Sequence, residues 1–202
     1  MIYPPLQSKI DRLLKIEIPL DRKKVLESLI DYVQTKVDAK EEFNLNYICT
    51  HNSRRSQFSQ VWSAVAASVF GIKAPSFSGG VEVTAFNERA IKSLERFGFK
   101  VSTQEGTNPV YRIYYSDAFS PVIGFSKIYD HPNNPKNNFA AVMTCSHADD
   151  NCPFIPGTEK RIALNYEDPK AFDGMPQEAE MYDERSTQIA SELLYAFGSI
   201  KK

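Results

Sequence analysis

The sequence predicts an α/β fold in which an open parallel sheet carries helices on its faces. Short strand-like runs alternate with helix-period stripes from Phe43 onward, the pattern of strand–helix–strand crossovers. Phe139–Thr144 and Ile162–Tyr166 are short apolar runs of the kind found in strands buried on both faces. The polar residues best suited to chemistry fall just after such runs, where α/β sheets hold their ligands.

Composition narrows the function classes. The 202 residues suit one compact domain or one domain with a short appendage, and 42% hydrophobic with 24% charged residues is a globular mix. Lys and Arg number 24 against 25 Asp and Glu, a net charge of -1. No basic field exists to hold a nucleic-acid backbone, so an anionic ligand must be bound by local geometry. Lys9, Asp11, Arg12, Lys15 and Glu17 interrupt the first twenty residues, unlike a secretory signal. No stretch approaches the ~18 apolar residues of a membrane span. Three cysteines are too few, and odd in number, for a disulfide scaffold. A reducing cytoplasm with thiols free to react is the expectation.

Residues 1–42 read as a helical extension. One helix is expected from Leu6 to Ile16, and a second after Pro19 with Asp21 as N-cap. Its stripe of Val25, Leu26, Leu29, Ile30, Val33 and Val37 is expected to pack on its own domain rather than on a partner. The main domain, 43–202, opens with a strand from Phe43 to Cys49. A polar loop follows, then a helix carrying Phe58, Val61, Trp62, Val65 and Val69 that stops at Gly71. Next come a strand at Pro75–Ser78, a helix from an Asn87 cap to Gly98, and a strand at Phe99–Val101. Residues 104–138 break the rhythm with Tyr111, Tyr114, Tyr115, Phe119, Phe125 and Tyr129, and read as an inserted hairpin and loop whose aromatics bury it. Strands at Phe139–Thr144 and Ile162–Tyr166 and a helix over Pro176–Phe197 complete the chain.

Cys49 stands at a strand end, with Arg55 six residues on and Ser56 beginning a helix. A thiolate that attacks a tetrahedral oxyanion needs this arrangement. The intervening loop can curl so that Thr50, His51, Asn52, Ser53 and Arg54 turn their N–H groups inward as an anion nest. Nest and helix dipole favour the Cys49 thiolate. Arg55 grips two oxygens in its planar fork, and Ser56 donates to the sulfur. Arg54 is expected to face solvent, and His51 to bond nearby backbone without a catalytic role. Asp168, aimed by Pro169 after the last strand, is the expected acid for the departing oxygen.

Cys145 and Cys152 lie seven residues apart on a polar stretch after Phe139–Thr144, at the same sheet edge as Cys49. Their approach requires a mobile loop. A zinc site with His147 lacks a fourth ligand, so no metal is expected.

Together these residues resemble the thioredoxin-coupled arsenate reductases, which share the low-molecular-weight phosphotyrosine phosphatase fold. ICTHNSRRSQ looks like that family's signature loop, and FSGGVEVTAFNERAIKSLERFGFKVSTQ is similar to its second strand and helix. VMTCSHADDNCPFIP resembles the redox segment, and YEDP the general-acid turn. The resemblance implies a four-stranded sheet, arsenate in the loop, Cys49 attacking arsenic and Asp168 protonating the leaving hydroxide. It further implies that Cys145 attacks Cys49 to release arsenite. Cys152 then attacks Cys145, leaving a disulfide that thioredoxin reduces with no bound cofactor. Gln60 stands where some members hold potassium through a Glu, which argues against that ion here.

The rival is a phosphotyrosine phosphatase using Cys49, Arg55, Ser56 and Asp168 alike, with water resolving a phosphocysteine. Against it, Arg54 stands where such loops commonly carry a second cysteine, and Lys170 and Ala171 replace the aromatics expected after Asp-Pro. A third reading is a redox-sensing or oxyanion-binding protein assembled through its N-terminal helices.

Overall fold

The computed structural model describes residues 1–151 and 154–202. Helices α1 (Pro4–Leu13) and α2 (Leu20–Ala39) precede strand β1 (Asn44–Cys49) and helix α3 (Arg55–Phe70). Then follow β2 (Ser76–Gly80), α4 (Glu88–Phe97), β3 (Lys100–Thr103), β4 (Tyr111–Tyr114) and β5 (Val122–Gly124). Strand β6 (Phe139–Met143), helix α5 (Ser146–Asn151), strand β7 (Thr158–Ala163) and helix α6 (Glu178–Gly198) complete the order.

The main sheet is four-stranded and all parallel, in the order β2-β1-β6-β7. Alternation along the strands divides the interior. Leu45, Tyr47, Ala140 and Val142 join the larger core under α3 and α6, with Phe58, Trp62, Val65, Ile189 and Leu193. Ile48, Ala141 and Met143 join a smaller cluster with Ala148 and Ile155, which also holds Cys49 and Cys145. The chain leaves β1 toward β2 on one side, while β6 lies on the other, so the carboxyl end of β1 is a topological switch point.

Several sequence expectations need correction. Phe99–Val101 leads into β3, which belongs to a second sheet, antiparallel and ordered β3-β4-β5. The break in rhythm therefore includes this strand, since a four-residue pattern cannot declare which sheet it joins. The last parallel strand begins at Thr158, upstream of Ile162–Tyr166. As an edge strand it alternates polar residues, and the apolar run beyond it is a loop whose Leu164 and Tyr166 N–H groups still bond β6 and Thr144. Asp21 lies in the first turn of α2, and Pro19 occupies the cap. The stretch after Cys145 is a short helix rather than a loop. Asn87 does cap α4, its side chain accepting from the Arg89 N–H at 2.9 Å.

Helices α1 and α2 share the larger core. Leu6, Ile10, Leu26 and Leu29 are fully buried in it. Arg22 of α2 pins this layer to α6 with a bidentate pair, Nε to Glu192 Oε1 at 2.9 Å and Nη2 to Oε2 at 2.7 Å. Glu192 is 2% exposed, and its hydrogen bonds push the Arg22 pKa upward. Removing one partner of a buried pair strands the other charge. Arg22→Ala is therefore expected to cost about 3–5 kcal/mol, read as a lower denaturant midpoint. An unchanged midpoint would show that the helices dock without this pair.

Candidate active site

The segment between β1 and α3 folds because its carbonyls find partners outside it. Thr50 C=O accepts from the N–H groups of Val81 and Glu82, both at 2.8 Å. His51 C=O accepts from the hydroxyls of Ser126 at 2.8 Å and Thr84 at 3.3 Å. Asn52 C=O accepts from the Gln57 amide at 3.0 Å, and Ser53 C=O from the Asn87 N–H at 3.0 Å. With the carbonyls turned outward, the N–H groups of His51, Asn52, Ser53 and Arg54 make no hydrogen bond among the described residues. Such a run of amides beginning a helix is an anion nest. Asn52 takes the left-handed conformation, φ 46°, that the curl requires.

Cys49 is 3% exposed at the base of this loop, its Sγ 3.0 Å from Ser56 Oγ. Asn52 Nδ2 donates to the same Oγ at 2.8 Å. The hydroxyl therefore already accepts one bond, and its own proton is available to a thiolate. Asn52 Oδ1 accepts from the Lys127 N–H at 3.0 Å. One buried amide thus orients the serine and ties the loop to residues 125–129.

That segment is the part of the site sequence reasoning missed. Tyr129 N–H bonds Gly80 C=O at 2.9 Å and Gly80 N–H bonds Lys127 C=O at 2.8 Å, continuing the sheet beside β2. Phe125 C=O accepts from Gln57 Nε2 at 2.9 Å. Lys127 is 4% exposed, its ammonium lies 4.6 Å from the Phe125 ring centroid, and burial brings its pKa down to about 8. The insertion buttresses the loop as well as burying Tyr111 and Tyr115. Its aromatic alternation was visible, but nothing in it announced bonds to residues some seventy positions away.

Arg55 donates Nη2 to Asp168 Oδ2 at 2.8 Å and Nη1 to the Tyr166 carbonyl at 3.1 Å, while its buried Nε has no partner among the described residues. Asp168 caps the 3₁₀ turn Pro169–Phe172, its Oδ1 accepting from the Lys170 N–H at 3.0 Å. Arg54 contradicts its solvent-facing expectation. It is 8% exposed, gives Nε to the hydroxyl of fully buried Tyr182 at 2.8 Å, and sets Nη1 3.8 Å from Asp168 and Nη2 3.6 Å from Asp173. Tyr182 in turn donates to Asp173 at 2.7 Å, and burial raises its pKa. Spacing selected Arg55, but only the docking of α6 from the far end of the chain makes a buried partner for its neighbour. His51 faces the Glu82 carboxylate at 3.2 Å rather than backbone. An open cleft of about 400 Å³ runs beside the loop, lined by His51, Ser53, Arg54, Asn87, Arg89 and Lys170 among others.

Cys145 is 1% exposed and lies within reach of the loop, its Sγ 3.4 Å from Thr50 Oγ1. The Ala148 N–H also donates to this sulfur at 3.4 Å. Cys152 lies outside the described residues. Gln60 spends its amide on the carbonyls of Ser76 and Ile123 and accepts from the Ser78 hydroxyl at 2.6 Å. Among the described residues no three His, Cys, Asp or Glu side chains converge to hold a metal, and no helix is long and apolar enough to cross a membrane.

A run of amides unbonded among the described residues, at the carboxyl end of a central parallel strand and beside a buried cysteine, sits in a four-stranded parallel sheet of the low-molecular-weight phosphotyrosine phosphatase fold. Solved structures agree on the fold. An arsenate reductase in its oxidized state superposes with a TM-score of 0.52 at 18% identity, over 79% of this chain and 100% of that one. The low-molecular-weight phosphotyrosine phosphatase of Vibrio cholerae O395 superposes with a TM-score of 0.52 at 13% identity, over 77% and 94%. No protein-family model matches the chain. In sequence, an arsenate reductase of Staphylococcus haemolyticus is 29% identical over 124 residues, 61% of this chain and 76% of that protein. Within the fold, the chain is similar in sequence to arsenate reductases.

Proposed function

We propose that the protein reduces arsenate to arsenite through a relay of three thiols that thioredoxin regenerates. The observation that carries this reading is the juxtaposition of an inward-facing amide loop around Cys49 with a second buried thiol, Cys145, hydrogen-bonded to that loop through Thr50. Arsenate enters the nest, and Arg55 Nε, which has no partner among the described residues, donates to one of its oxygens. The Cys49 thiolate, steadied by Ser56, forms a bond to arsenic, and the displaced oxygen leaves as water with a proton from Asp168. The Cys145 thiolate then bonds Cys49 Sγ. The sulfur–arsenic bond breaks with its electron pair going to arsenic, so arsenic(V) leaves as arsenite and two thiols become a disulfide. Attack by Cys152 on Cys145 frees Cys49 and leaves Cys145–Cys152 for the dithiol of thioredoxin.

The second reading, phosphoester hydrolysis through a phosphocysteine, draws support from the cleft beside the loop, which has room for an ester group. The two separate cleanly. Purified protein with thioredoxin, thioredoxin reductase and NADPH is expected to consume NADPH only when arsenate is added. Hydrolysis of an aryl phosphate without any arsenate-dependent NADPH consumption would decide for the phosphatase.

A further inference from the structure

The Cys145 thiol presents a problem of proton removal. At 1% exposure it has almost no contact with water, yet a thiol attacks only as its thiolate. Its polar neighbours point to one route. Thr50 Oγ1 lies 3.4 Å from Cys145 Sγ and 3.3 Å from Nδ1 of His147, a residue on the exposed side of α5. Other ionisable groups nearby are engaged elsewhere: Asp149 accepts from Arg161, and Glu82 faces His51.

We propose that His147 accepts the Cys145 proton through the Thr50 hydroxyl. With imidazole in its Nε2–H tautomer, the thiol S–H donates to Thr50 Oγ1 and the threonine O–H donates to Nδ1. The S–H bond breaks with its electron pair left on sulfur. Thr50 takes that proton as its own passes to Nδ1, so the products are a thiolate and an imidazolium. The two hydrogen bonds then reverse direction, His147 donating to Thr50 and Thr50 donating to the thiolate it has just created. The Ala148 N–H adds a second donor to that sulfur. Being exposed, His147 can hand the proton on to water. This deepens the reductase reading, because it rests on Cys145 acting as the second nucleophile.

The test needs no arsenate, so its failure is distinct from failure of that reading. In a Cys49→Ser/Cys152→Ser background Cys145 is the sole thiol, and its thiolate is read at neutral pH by ultraviolet absorbance and by the rate of alkylation with iodoacetamide. His147→Ala is expected to lower both roughly tenfold. Thr50→Val is expected to match it, and the two together to be no worse than either, as members of one relay are not additive. His147→Asn keeps an acceptor for the threonine hydroxyl but cannot hold the proton, so it should fall with the alanine variant. A substitution that merely loosened α5 would bare Cys145 and speed alkylation, the opposite sign. Parent-like or faster alkylation in His147→Ala or His147→Asn overturns the proposal.

Discussion

Cys152→Ser is expected to give a single burst of arsenite, about one per enzyme molecule, and then stop. The physical reason lies in where each oxidised sulfur sits. Cys49 is 3% exposed and Cys145 is 1% exposed, so a disulfide between them is sealed from a protein reductant, which must bring its own thiolate up to a sulfur. Only transfer of the oxidation outward, to a pair that includes Cys152, reopens the site. Steady-state turnover should fall by roughly 10³ or more, as when an essential nucleophile is lost, while the first turnover keeps its rate. Cys145→Ser should differ in kind, yielding no burst and a trapped Cys49–arsenic adduct. Rapid-quench assay of arsenite with mass analysis of the protein reads both. Sustained turnover by Cys152→Ser would dismantle the relay. Undiminished aryl phosphate hydrolysis by a Cys145→Ser/Cys152→Ser variant, in a protein whose parent reduces no arsenate, would make the site a phosphatase.

The elements legible in the sequence were those whose side-chain period and punctuation agree. The α3 stripe of Phe58, Val61, Trp62 and Val65 ends on the stop signal of Gly71, and the Asn87-to-Gly98 helix carries both a start and a stop signal. The open parallel sheet followed from the alternation of strand and helix, whereas its four-strand count came from the resemblance. Long-range features escaped for identifiable reasons. Strand β7 is an edge, with burial only at Ile162 along its inner half, so its polar residues concealed it and the apolar run beyond drew the assignment downstream. Arg54 looked solvent-facing because its partners, Tyr182 and Asp173, lie more than a hundred residues away. Residues 125–129 support the loop through the Phe125 carbonyl and the Lys127 N–H as well as the Ser126 hydroxyl, and backbone bonding leaves little trace in residue type. Within the loop itself, the contact of Cys49 with Ser56 could be read from spacing. The role of Asn52, oriented by bonds on both amide atoms, could not.

Gly80→Ala is expected to damage the site severely, because the loop and β2 meet there without room for a side chain. A Cβ at Gly80 would lie 2.7 Å from the Asn52 amide nitrogen, 2.7 Å from the Glu82 carbonyl oxygen and 2.9 Å from the Thr50 carbonyl oxygen. All three are backbone atoms, so no side-chain rotation relieves the clash. Gly80 cannot retreat either, held by its N–H to Lys127 and its C=O from Tyr129. The strain must therefore pass into the loop, whose Asn52 already occupies the left-handed region. Moving that residue carries away one nest amide, the bond that orients Ser56 toward Cys49, and the tie to Lys127. Displacements of about 1 Å at a positioned group cost on the order of 10²-fold. The expected result is at least that loss in kcat/KM for arsenate, with weakened binding of inorganic phosphate by calorimetry. The denaturant midpoint should move less than activity does, since the larger core lies on the other face of the sheet. Phosphate affinity equal to the parent's would mean that the amides of the loop do not form the anion site, and the reading of Cys49 as the nucleophile at its centre would fall with it.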